Sequence, residues 1–212
     1  MRLYGFSHSS STWRVRIGLA LKGIEVETVT VDVSPAAREQ DAEGYERVNP
    51  ARQVPALEWT EDGHTRTLSQ SMAILQYLEQ IHPTPPLWPE DAYARARATQ
   101  LAELVNAGIQ PLQNNRVLGR LEERGVNPDA WAKLHIERGL AALELMARDG
   151  TGRFLAGDAP MVPDLYAVPQ LHNARKYGID VTRFSTLARC EAACLELPAF
   201  SSTRPETTAR HG

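Results

Sequence analysis

The chain has 212 residues, 42% hydrophobic and 23% charged, with a formal net charge of -3. That length suits one or two compact domains with a real core, and 23 Lys and Arg against 26 Asp and Glu offer no basic field for a nucleic acid. No apolar run nears the roughly 18 residues of a membrane span, and Met1-Arg2-Leu3-Tyr4-Gly5-Phe6 lacks the apolar stretch of a secretory leader, so a cytoplasmic protein with no membrane partner is expected.

In chain order, Arg2 to Gly5 reads as a short strand, followed by the hydroxyl-rich turn Ser7-His8-Ser9-Ser10-Ser11-Thr12. A helical pattern begins at Trp13, with Ile17, Ala20 and Leu21 near helical spacing and Gly23 placed as a left-handed cap. Val26 to Val33 alternates β-branched and polar residues and predicts a strand. Pro55 to Trp59 and Thr65 to Leu68 predict a hairpin about Glu61-Asp62-Gly63, and Ile74, Leu75, Leu78 and Ile81 predict a helix from Ser71 that stops at His82-Pro83. Four prolines between Pro83 and Pro89 can continue neither element and read as a linker. Beyond it the pattern is helical: one long stretch from Asp91 interrupted at Pro111, then helices from about Pro128, Pro163 and Phe184.

The organisation expected is therefore a βαβ–ββα domain over 1–82, a linker over 83–90, an all-helical domain over 91–200 and a frayed tail over 201–212. Cys190 and Cys194, the two cysteines, share one helix face at a spacing that suits buried apolar residues better than redox chemistry, and no metal site is expected.

Three corners of the first domain can hold anions. At the first, hydroxyls of Ser9, Ser10, Ser11 and Thr12 sit at a helix N-terminus, where free N–H groups and the helix dipole favour negative charge; helix capping is the competing use of any one of them. The second is Gln53-Val54-Pro55, where a cis proline would present extended backbone to a ligand. The third is Gln70-Ser71, where Ser71 opens a helix, with capping again the alternative. Three such corners suggest a ligand with several carboxylates and peptide character.

The blocks Ser9-Ser10-Ser11-Thr12-Trp13-Arg14-Val15-Arg16-Ile17, Asn49-Pro50 with Gln53-Val54-Pro55, Gln70-Ser71-Met72-Ala73-Ile74, Gly108 to Asn114 and Val168-Pro169-Gln170 closely resemble the zeta class of glutathione transferases, which includes maleylacetoacetate and maleylpyruvate isomerases. The resemblance implies a thioredoxin-like α/β N-terminal domain that binds glutathione, an all-α C-terminal domain that walls the acceptor substrate, and a homodimer. It assigns the thiol to Ser9 and Ser10 beside Ser11, with Ser9 as thiolate donor. It further assigns Arg14, Gln53, Val54, cis Pro55, Gln70, Ser71, Gln110 and Asn114 to glutathione, and His8, Arg116, Arg175 and Lys176 to the acceptor. The implied activity is cis–trans isomerisation of a small unsaturated keto acid by reversible thiolate addition.

Departures fall at the site itself. His8 and Ser11 stand where relatives often carry Arg and Cys, and Lys176 stands where they carry Arg, a point charge in place of a fork. Two other readings therefore stand beside the isomerase: a transferase or dehalogenase that conjugates small α-halo acids, and a glutathione-binding protein without catalysis.

Overall fold

The computed structural model of the chain describes residues 1–205. The chain forms two compact units, Met1–Pro86 joined by the segment from Pro198, and Leu87–Leu197.

In the first unit β1 (Arg2–Gly5), α1 (Ser10–Leu21) and β2 (Glu27–Thr30) make the βαβ turn, and β3 (Ala56–Glu61), β4 (His64–Ser69) and α3 (Ser71–Ile81) make the ββα half. A short helix, α2 (Glu43–Val48), lies between the halves. The sheet order is β2-β1-β3-β4, with β1 parallel to β2 and antiparallel to β3. Leu57 pairs with Leu3 on one side and with Leu68 on the other. Leu3, Leu57, Val15, Leu19, Ile74 and Leu78 form the core between sheet and helices, each buried side chain contributing about 1.5–3 kcal/mol. The hairpin closes through Asp62 and Gly63 at φ 51° and 75°, the paired positive values that match strand twist.

Two details set the start and end of α1. A Cβ on Gly5 would lie 2.4 Å from Cγ2 of Thr12, so only glycine lets the first helical turn lie against β1. At the far end the Lys22 ammonium is buried, with Nζ 2.7 Å from Glu79 Oε2 and donating to the carbonyls of His82 (2.5 Å) and Pro85 (2.9 Å). It fastens the end of α1 to the end of α3 and to the proline-rich segment.

The second unit holds α4 (Ala92–Gly108), a 3₁₀ turn at Gln110–Gln113 built on Pro111, α5 (Asn115–Glu122), α6 (Pro128–Ala147), α7 (Val162–Lys176) and α8 (Ser185–Leu195). Asp91, Asn114 and Asn127 cap α4, α5 and α6, each side chain accepting from an amide of the first turn. Leu101 and Val105 of α4, Ile136, Leu140 and Leu143 of α6, and Leu165, Val168 and Leu171 of α7 are buried at helical spacing. Gly139 admits Ile109 against α6; a Cβ there would meet the Ile109 side chain at 2.3 Å. Asp164, in the first turn of α7 and wholly buried, accepts from the amides of Leu155 and Met161, both at 3.0 Å.

The stretch that leads into the expected frayed tail is packed. Residues Pro198–Ser201 form α9, Phe200 is buried, and Trp13 Nε1 donates to Thr203 Oγ1 at 2.9 Å, which seats this segment on α1. Residues 206–212 of that tail lie outside the described residues.

Candidate active site

The serine turn lies where β1 hands over to α1. Ser9 is the N-cap, and its Oγ accepts from the Thr12 amide at 3.2 Å. Capping uses one lone pair and leaves the hydroxyl proton to donate, so the capping and anion-holding readings coexist in one residue. Ser10 and Ser11 open the helix, and their amides have no intrahelical acceptor. Ser10 is buried and Ser11 half-buried. His8 is exposed, its ring edge-on to Phe6 at 5.5 Å.

The other two corners of this unit meet each other. Gln70 Nε2 donates to Gln53 Oε1 at 3.4 Å, joining the exposed side chains that precede Ser71 and Val54. Gln70 is held at φ 72°, ψ 117°, a backbone region that costs a non-glycine residue about 1–3 kcal/mol and that clusters at functional sites. Arg14, wholly buried, donates from Nη1 to Ser71 Oγ at 3.4 Å, so the helix that begins at the serine turn reaches the first residue of α3. The Val54–Pro55 bond is cis. Among the described residues neither the N–H nor the carbonyl of Val54 meets a protein partner.

The residues assigned from the second unit divide differently. Gln110 opens the 3₁₀ turn, and Asn114 spends its Oδ1 on the Arg116 amide at 3.0 Å while its amide group stays available. Arg116 is exposed at the start of α5. Arg175 is engaged by buried Glu191, with Nη1 and Nη2 donating to the two carboxylate oxygens, the shorter contact at 2.5 Å; that bond holds its pKa above the ordinary value. Its exposed neighbour Lys176 opens on a cleft of about 450 Å³ shared with Asp129, Lys133 and Tyr177.

Residues 1–80 match the glutathione S-transferase N-terminal domain family. Maleylacetoacetate isomerase of Rattus norvegicus is 38% identical over 96% of this chain and 91% of its own length. Maleylpyruvate isomerase of Ralstonia sp is also 38% identical, over 97% of each chain. The chain belongs to the zeta-class glutathione transferases. Among solved structures, maleylacetoacetate isomerase of Anaeromyxobacter dehalogenans 2CP-1, with GSH bound in its active site, superposes at a TM-score of 0.90 with 50% identity, covering 97% of this chain and 95% of that one.

In this zeta-class transferase three residues to which the sequence assigns no site role shape these corners. Arg16, half-buried on the helix face away from Arg14, folds back to donate to the Ser7 carbonyl at 3.0 Å and holds the serine turn from behind. Tyr45 and Asn49 both donate to the Gln53 carbonyl. Their signal was faint: Tyr45 sits in a six-residue helix with no apolar stripe, and Asn49 shows only as half of an Asn-Pro pair.

Proposed function

We propose that this chain is a glutathione-dependent cis–trans isomerase of a small unsaturated keto acid of the maleylacetoacetate or maleylpyruvate type. The observation that supports the reading is that one unit carries three corners suited to anions: Ser9 at the start of α1, Ser71 at the start of α3 bonded by Arg14 of α1, and the open Val54 backbone beside the Gln53–Gln70 contact. The residues fit glutathione. An unpartnered N–H at Val54 suits a peptide carbonyl, and the Ser71 end of α3 suits an amino-acid carboxylate. The free hydroxyl proton of Ser9 suits a sulfur anion.

When bound, glutathione supplies a thiolate that adds to the conjugated cis double bond and leaves again after rotation about the resulting single bond. The chain raises the thiolate fraction, since a free thiol of pKa about 8.5 is only a few per cent ionised at neutral pH. Ser9 donates its hydroxyl proton toward the sulfur, and the first-turn amides of α1 add their dipole. Gln70 and Ser71 anchor the γ-glutamyl carboxylate, with Arg14 polarising the Ser71 hydroxyl from behind. The family resemblance names Gln110 and Asn114 as further candidates for glutathione, and His8, Arg116 and Lys176 as candidates for the acceptor carboxylate. Arg175 is set apart from that group by its bond to Glu191. A homodimer and a cytoplasmic location complete the proposal on the family resemblance.

The test is turnover of a maleyl keto acid with a substoichiometric amount of glutathione. Many turnovers per glutathione, with the thiol recovered, support the isomerase. Consumption of one glutathione per product would replace it with a conjugating transferase.

A further inference from the structure

Peptide geometry connects a buried pair of side chains to the open Val54 backbone. The Gln53 carbonyl accepts from Tyr45 Oη at 2.6 Å and from Asn49 Nδ2 at 2.7 Å, so both of its lone pairs are used. The Gln53–Val54 bond is not among the cis peptides of the chain, and in a planar trans unit the N–H points opposite to the C=O. Fixing the Gln53 oxygen on one side therefore fixes the direction of the Val54 N–H on the other.

Both donors are themselves held. Tyr45 is 7% exposed and Asn49 2%, and the polar side-chain atoms of both are spent on the backbone of this loop. Asn49 donates its own amide to the Tyr45 carbonyl at 2.9 Å, and its Oδ1 accepts from the Ala51 amide at 3.1 Å, which fixes which end of the side chain faces Gln53. The Tyr45 ring lies 6.0 Å from that of Tyr4. Burial pushes the Tyr45 phenol up to about 12, which keeps it a donor throughout the neutral range. Such an arrangement exceeds what closing a surface loop requires: one carbonyl bond suffices to satisfy the acceptor, and the second removes its freedom to pivot.

We infer that Tyr45 and Asn49 are positioning residues that aim the Val54 N–H at the peptide backbone of bound glutathione. The inference rests on the glutathione-binding reading above and adds two residues and a mechanism to it. Their work is done before the ligand arrives, so their loss should weaken binding without slowing the step that follows it.

The experiment compares wild type, Tyr45→Phe and Asn49→Ala by calorimetric titration with glutathione, by KM for glutathione and kcat in the isomerase assay, and by thermal unfolding. Each variant should lose about tenfold in glutathione affinity, the upper range for one neutral hydrogen bond. The KM for glutathione should rise in step while kcat at saturation stays within about twofold of wild type. Lower melting temperatures with unchanged glutathione affinity and KM would reduce the pair to loop staples and overturn the inference. A fall in kcat with KM unchanged would overturn it too. Tyr45→Phe keeps the ring packing and decides the matter alone if Asn49→Ala does not fold. Wild type that fails to bind glutathione would instead remove the cofactor reading, an outcome visible before any variant is made.

Discussion

Arg14 lies wholly inside the protein and its Nη1 donates to the Ser71 hydroxyl at 3.4 Å, coupling the helix of the serine turn to the helix that opens with Ser71. A hydroxyl that accepts from a guanidinium is a stronger donor toward a carboxylate, so the pair acts on an anion as a unit. In a double-mutant cycle on glutathione affinity, Arg14→Lys and Ser71→Ala should therefore fail to add by about 1 kcal/mol or more. Additivity within about 0.5 kcal/mol would show two independent contacts.

The positive φ of Gln70 separates stability from binding at one position. Gln70→Ala keeps the strain and removes the amide that meets Gln53; Gln70→Gly removes both. Both variants should bind glutathione more weakly than wild type, and Gln70→Gly should be the more stable of the two by about 1 kcal/mol. Equal melting temperatures would mean the backbone there stores no strain.

Asp164 sets a pH dependence in the helical unit. Burial pushes its carboxyl up from 3.8 to about 6, although the amides of Met161 and Leu155 and the Cys194 thiol oppose the shift. A raised folded pKa means that the folded state binds the proton more tightly than the unfolded chain does. This contribution is fully present below the unfolded value and is lost as pH rises through about 6, on the order of 3 kcal/mol in all. Denaturant unfolding of wild type and Asp164→Asn from pH 4 to 7 should show wild type gaining on the variant toward acid. Parallel stability curves would contradict the shift.

The serines divide the labour at the turn. Ser9→Ala should lower isomerase turnover by about 100-fold, the scale of losing one donor to a developing anion, and stability by about 1 kcal/mol through the lost cap. Ser11→Ala, which removes a hydroxyl that caps nothing, should cost less than about tenfold in turnover. Equal rates for wild type and Ser9→Ala would take the sulfur away from Ser9.

Much of this arrangement was legible because it is local. The short strand Arg2–Gly5, the apolar stripe of Ile74, Leu75 and Leu78, and Asp62-Gly63 between two strands each carry their structure within a few residues. The serine turn was legible for the same reason. What escaped is non-local or unpatterned. Arg14 reaches Ser71 across 57 residues, and nothing in Lys22 announces a buried ammonium tied to Glu79 and two carbonyls. The helix Glu43–Val48 buries a single side chain, Tyr45, so it leaves no periodic trace. Arg175 read as available because its partner Glu191 lies on another helix. The seat of Thr203 is on Trp13, 190 positions earlier, which its own polar surroundings in sequence do not announce.

The titration of the glutathione thiol on the protein, followed by thiolate absorbance, addresses the whole proposal at once. Bound glutathione should ionise at least about one pH unit below the free thiol value of about 8.5, and Ser9→Ala should return it most of the way. A bound thiol that titrates where the free one does would contradict the account.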